Sequence, residues 1–211
     1  MDEYLKNTDV IDSDNESIRI KSRELTQGVE TDIEKGMLLF YFVRDQIKFN
    51  MYAPTQQRKD HMASRTLRRG NGICLHKAIL LVALSRVVGI PARLELADIR
   101  NHRIPNKLRA LIGGGNDLIT NGFAQFYLRD KWLHVSPVYD KSTCRKNGFI
   151  PVEFDGVDDA RASAYDRKGR PHIEYLKGYG YYADFPWAEI CKAREEFAST
   201  LGIKNWTEHP L

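Results

Sequence analysis

Residues 70–93, GNGICLHKAILLVALSRVVGIPAR, set one cysteine, Cys74, between a glycine turn and a long apolar run. From Cys74 to about Val88 the run carries Ala78, Leu81, Val82, Ala83, Leu84 and Val87, apolar residues that wrap nearly the whole circumference of a helix. A helix without a polar face must be buried on all sides, so the fold is expected to be built around this one. Gly89 ends it, Pro91 follows, and Ala92 to Ala97 alternates in the manner of a strand. A thiol at a helix N-terminus sits at the positive end of the helix dipole, beside unpaired amides that favour the thiolate and can also hold an oxyanion. Cys74 is therefore the candidate nucleophile, and Gly72 is expected to let backbone come close to whatever binds there.

Upstream of this helix, residues 1–15 read as a polar, loosely ordered lead-in. Ile18, Ile20, Leu25 and Val29 then suggest one helix, and Ile33 to Val43 recur at helical spacing in a stronger one running from Thr31 to about Gln46. Residues 48–61 break into loop, and a short helix over 63–68 leads to the glycine turn. Downstream, residues 106–112 look helical and Gly113 to Gly115 close that segment. Strands are expected over 119–128 and 131–137, joined by the two-residue turn Arg129-Asp130. Strand fragments near 150–154 and 173–176 and a last helix over 186–201 complete the reading. Helices first, then a central helix, then antiparallel strands make an α+β fold, expected as a single domain over 16–211.

The chain has 211 residues, 42% hydrophobic and 28% charged, with a formal net charge of +4 spread along its length. Charges so dispersed give no reason to expect a nucleic-acid partner. Arg65, Arg68 and Arg69 form the densest basic group, read either as a solvated helix end or as a landing site for an anion. Three cysteines at wide spacing make neither a disulfide framework nor a zinc ribbon, so no metal and no cofactor are expected. The N-terminal MDEYLKNTDVIDSDNES lacks the apolar core of a secretory leader, and no run is long enough to span a membrane. A cytoplasmic protein acting on a small molecule or peptide is the expectation, with oligomeric state left open.

The turn Gly70-Asn71-Gly72-Ile73-Cys74, the helix after it, and the exit Arg86 to Arg93 together resemble the nucleophile helix of the transglutaminase-like superfamily. Residues 121–137, NGFAQFYLRDKWLHVSP, are similar to the two strands that carry that family's histidine and aspartate. The resemblance implies a papain-like core, a central cysteine-bearing helix facing an antiparallel sheet, and acyl-transfer chemistry through a thioester. Aligned on Trp132 and Pro137, the family histidine falls on Asn121 and the family aspartate on Ser136.

Neither an amide nor a hydroxyl can accept a thiol proton near neutral pH, so a cysteine enzyme here needs a base from elsewhere. His134 shares a strand face with Ser136, about 6.6 Å away along the strand. His102 follows Asp98 in a loop that can fold back, and the pair offers an acid and an imidazole together. His172 is a third candidate. His76 lies about 200° around the helix from Cys74 and should point away, while His61 and His209 read as surface residues. Gln125 and Trp132 join Gly72 as candidate substrate contacts. Two functions follow: a Cys74-dependent amide hydrolase or acyltransferase with a relocated base, or a binding protein that has kept the cleft and lost the histidine and aspartate.

Overall fold

The structure is a computed structural model that describes residues 1–111 and 114–202. At its centre lies the helix foreseen from residues 70–93. Numbered in chain order, α1 spans Glu16–Leu25, α2 Asp32–Gln46, β1 Lys48–Phe49, α3 Ala63–Arg69, β2 Asn71–Gly72 and α4 Cys74–Val87. Every residue of α4 from Leu75 to Arg86 is buried. Helices α1, α2 and α3 pack around one side of it. Their ends are set by short polar side chains: Asn15 Oδ1 accepts from Ser17 N–H, and Thr31 Oγ1 accepts from Glu34 N–H. Three polar residues of α4 are tied to carbonyls, as burial requires. Lys77 Nζ donates to Arg44 O, Ser85 Oγ to Leu81 O, and the Arg86 guanidinium to Lys6 O, Ala92 O and Ala183 O.

The other side of α4 meets an antiparallel sheet of β3 (Ala92–Asn101), β4 (Asp117–Leu128), β5 (Lys131–Val135) and β6 (Ile173–Tyr182) in the order β5-β4-β3-β6. Strand side chains alternate, so Leu94, Leu96, Ala124, Phe126, Leu133 and Val135 join the core around α4. Arg93, Glu95, Gln125, Trp132 and His134 alternate with them and fall on the opposite face. The turn Arg129-Asp130 has φ of 49° and 60°, the left-handed pair that a two-residue hairpin demands. The remaining helices are α5 (Asn106–Leu111), α6 (Lys141–Asn147) and α7 (Trp187–Thr200). No helix among the described residues is long and apolar enough to cross a membrane.

Three expectations need correction. The first fifteen residues are not loose: Val10 and Ile11 are buried in the main core, and Ala63 N–H donates to Val10 O. Residues 150–154 form no strand. Side chains of α2 satisfy their carbonyls instead, with Arg44 on Val152 O and Tyr41 on Phe154 O. The fragment at 173–176 is the start of a ten-residue edge strand. Gly113 and His209 lie outside the described residues.

Candidate functional site

Two local features place the Cys74 thiol. Gly122 has no side chain, and a Cβ there would lie 2.9 Å from Leu75 Cα, so the first turn of α4 can rest directly on β4. Thr120, just before it, takes a φ of 49°, a conformation that costs energy in a β-branched residue and turns the strand locally. Asp98 secures this turn by accepting from Thr120 N–H and from Tyr179 O–H, both at 2.9 Å. The result is that Cys74 Sγ donates to Asn121 Oδ1 at 2.9 Å, while Asn121 Nδ2 donates to Leu118 O.

Thiol and amide open into a largely apolar cavity of about 120 Å³ between the α4 turn, β4, the loop after β5 and α7. Phe49, Ile73, Tyr139 and Arg194 are among its walls. Burial pushes the Cys74 thiol up from its ordinary pKa, against the opposing pull of the Gly122 and Leu75 amides and the Arg194 charge. Helix-terminus stabilisation is therefore present at Cys74 but outweighed by desolvation.

Ser136, on which the resemblance places the aspartate, follows the last β4–β5 pair of Ala124 with Val135. It is fully buried, its N–H donates to Ala160 O, and its hydroxyl has no partner among the described residues. The candidate bases are held elsewhere. His134 lies on the sheet face turned away from α4, and its Nδ1 bonds Glu95 Oε2 at 2.7 Å. Burial lowers the His134 pKa in spite of that carboxylate, while Glu95 stays ionised because the histidine contact and Gln125 outweigh its own burial. His102 pairs with Glu174 at 3.1 Å, not with Asp98. His172 stacks on Phe149 at 4.0 Å with Tyr139 beside both rings, and burial lowers its pKa to about 4. Among the described residues no histidine lines the cavity.

The proposed substrate contacts are likewise occupied. The space where a Gly72 side chain would sit is filled by His76, whose Cβ lies 2.6 Å from the Cβ position. Gln125 bridges Arg93 and Glu95, and Trp132 lies under the Arg93 guanidinium at 3.9 Å. All three are outside the cavity wall. His76 does point away from Cys74, and His61, read as a surface residue, is fully buried and stacked on it at 4.7 Å. Two of the three arginines in the basic group are engaged locally: Arg69 donates to Asn71 O and Arg65 faces Asp60. Among the described residues no three of His, Cys, Asp and Glu gather as a metal site. Sequence reasoning missed Arg194 and Tyr139, which come from an ordinary-looking amphipathic helix and from a loop.

The sequence model of the transglutaminase-like superfamily matches residues 20–137, more than half of the chain. No curated protein matches the chain. A solved structure from Cytophaga hutchinsonii, described as that of a candidate cysteine protease, is similar at a TM-score of 0.50 and 13% identity, over 85% of this chain and 53% of that one. The present chain thus spans about half the length of that protein. The periplasmic domain of TgpA from Pseudomonas aeruginosa is similar at a TM-score of 0.44 and 18% identity, over 64% of this chain and 45% of that one. The matched region holds the glycine turn, α4, the strand that bears Asn121 and the end of β5 just before Ser136, and the α4-on-sheet arrangement is the one the resemblance implies. The chain belongs to the transglutaminase-like superfamily.

Proposed function

We propose that this chain is a ligand-binding member of its superfamily, in which the cleft is kept and the Cys74 thiol serves as a neutral hydrogen-bond donor. The carrying observation is the 2.9 Å bond from Cys74 Sγ to Asn121 Oδ1. An amide oxygen accepts that bond but cannot remove the proton, and burial already favours the protonated thiol. A second reading rests on the amides of Leu75 and Gly122, which lie against the sulfur. In it, Cys74 Sγ attacks an amide carbonyl, a thioester forms, and the amine leaves with the thiol proton; water or another amine then releases the acyl group. That sequence needs a group to carry the proton, and His134 and His102, bonded to Glu95 and Glu174, do not line the cavity.

The experiment is the rate of Cys74 alkylation by iodoacetamide against pH, followed by mass spectrometry of the Cys74 peptide because Cys144 and Cys191 are also free. The binding reading expects an apparent pKa at or above the roughly 8.5 of an unperturbed thiol. It also expects Asn121→His to lower that pKa by about one unit or more, since an imidazole can share the proton. An intact chain whose Cys74 titrates near pH 6 would overturn the binding reading in favour of the thioester enzyme.

A further inference from the structure

Buried arginines in this protein are normally furnished with partners. Arg44 meets Asp45, Glu153 and Val152 O, and Arg86 meets three carbonyls. Arg194 on α7 departs from that rule. It is only 8% exposed and lines the Cys74 cavity, yet among the described residues no carboxylate or carbonyl receives a hydrogen bond from its guanidinium. The titratable groups that act on it are two thiols, Cys191 and Cys74, whose pKa values burial raises, so neither supplies a counter-charge near neutral pH. The other charged side chain in the wall, Asp117, is already held by Arg100 through two bonds of 2.7 and 3.0 Å. A guanidinium this little exposed, with no counter-charge among the described residues, is a ready partner for an anion delivered by an occupant of the cavity. Most of the remaining wall is apolar, with Ile99, Leu118, Phe123, Ile173 and Phe197 around the space, beside the polar groups of Cys74, Thr55, Thr120, Asn121 and Tyr139.

We propose that the cavity binds a small monocarboxylate with an apolar tail, its carboxylate paired with the Arg194 fork and its tail lying against Phe123, Ile99 and Ile173. This rests on the binding reading of the same cleft. A planar two-oxygen acid suits the guanidinium geometry, and a tail of a few carbons suits a space of about 120 Å³. Cys74 then lies at the cavity wall as a donor to the ligand or to Asn121.

The test uses hexanoate and its neutral counterpart hexanamide. On the intact protein, hexanoate is expected to protect Cys74 from iodoacetamide at concentrations at least tenfold lower than hexanamide. In titrations followed by heteronuclear NMR, Arg194→Gln is expected to erase the preference and Arg194→Lys to keep part of it. Equal protection by the two probes, or none by either, would overturn the proposal without use of any variant. So would full preference retained in a folded Arg194→Gln protein. The two readings fail separately. A Cys74 with a low pKa removes the binding reading even if hexanoate is preferred, whereas an ordinary Cys74 pKa without charge discrimination removes only the carboxylate.

Discussion

Gly122 and Lys77 show how single residues set the state of the cleft. An alanine at 122 would put its Cβ 2.9 Å from Leu75 Cα, backbone that cannot rotate aside. Gly122→Ala is therefore expected to lose about 1–3 kcal/mol of stability by overpacking, and to lift the first turn of α4 off β4. Urea unfolding measures the loss, and a change within about 0.5 kcal/mol, the usual range for an unconstrained surface site, would deny the close approach any role. Lys77, three residues past Cys74, is fully buried with Nζ on Arg44 O, and burial lowers its pKa to about 7. Unfolded, it would hold its proton to about pH 10.4. Between those values the unfolded state binds the extra proton, so stability rises with pH, by about 1.4 kcal/mol per pH unit from this group. Lys77→Met is expected to remove that slope. Urea midpoints from pH 7.5 to 9.5, taken as the difference between variant and wild type, isolate it from the tyrosines and cysteines that titrate nearby; a flat difference would mean that Lys77 stays charged inside.

The elements differ in how plainly the sequence announced them. Helix α4 was legible because its apolar residues leave no solvated face, and the hairpin was legible because only two residues separate its strands. Strand β6 was cut short because it lies at the sheet edge, with most side chains exposed and glycines at 178 and 180, so no alternation marks it. Residues 150–154 misled for the opposite reason: Val152 and Phe154 are buried at alternate positions, as in a strand, but they pack in the core beside α2, whose side chains satisfy the carbonyls. In the site, Cys74 and Asn121 were legible from the turn and the strand pattern. Arg194 was not, because nothing in an amphipathic helix distinguishes an arginine that turns inward from one in solvent. His61 was misread because its neighbours are loop; in the fold it stacks on His76, which in turn accepts from Ile73 N–H beside the thiol. Burial lowers the His61 pKa to about 3 and holds His76 well below normal. As pH falls below about 6.5 the unfolded chain gains protons that these two refuse, so stability declines by about 1.4 kcal/mol per pH unit for each. His61→Phe, which keeps the stack, is expected to remove one proton's share of that decline between pH 6.5 and 5. An unchanged slope in urea titrations would mean that His61 is protonated in the folded state.

On the scale of the whole molecule, the cleft sits where a rigid part meets a looser one. Helix α4 and strands β3 and β4 share the largest core. Helix α7 reaches that body by a narrow seam, with only Ile190, Arg194 and Ala198 buried along it. One of those three is the arginine that faces the cavity, so the wall bearing Arg194 is fastened by Ile190 and Ala198 together with the half-buried Trp187. Local opening free energies follow buried apolar contact, and a helix with only two fully buried apolar side chains should open before the core does. Hydrogen exchange is expected to show amides of residues 76–86 and of β4 exchanging only with global unfolding, while those of α7 exchange at least tenfold faster through a smaller opening. Saturating hexanoate should slow α7 selectively, because a carboxylate on Arg194 ties that helix to whatever the tail contacts on the sheet side. Uniform protection across α4 and α7 without ligand would mean that the cavity wall is part of the core, and that ligands enter by a route other than the movement of α7.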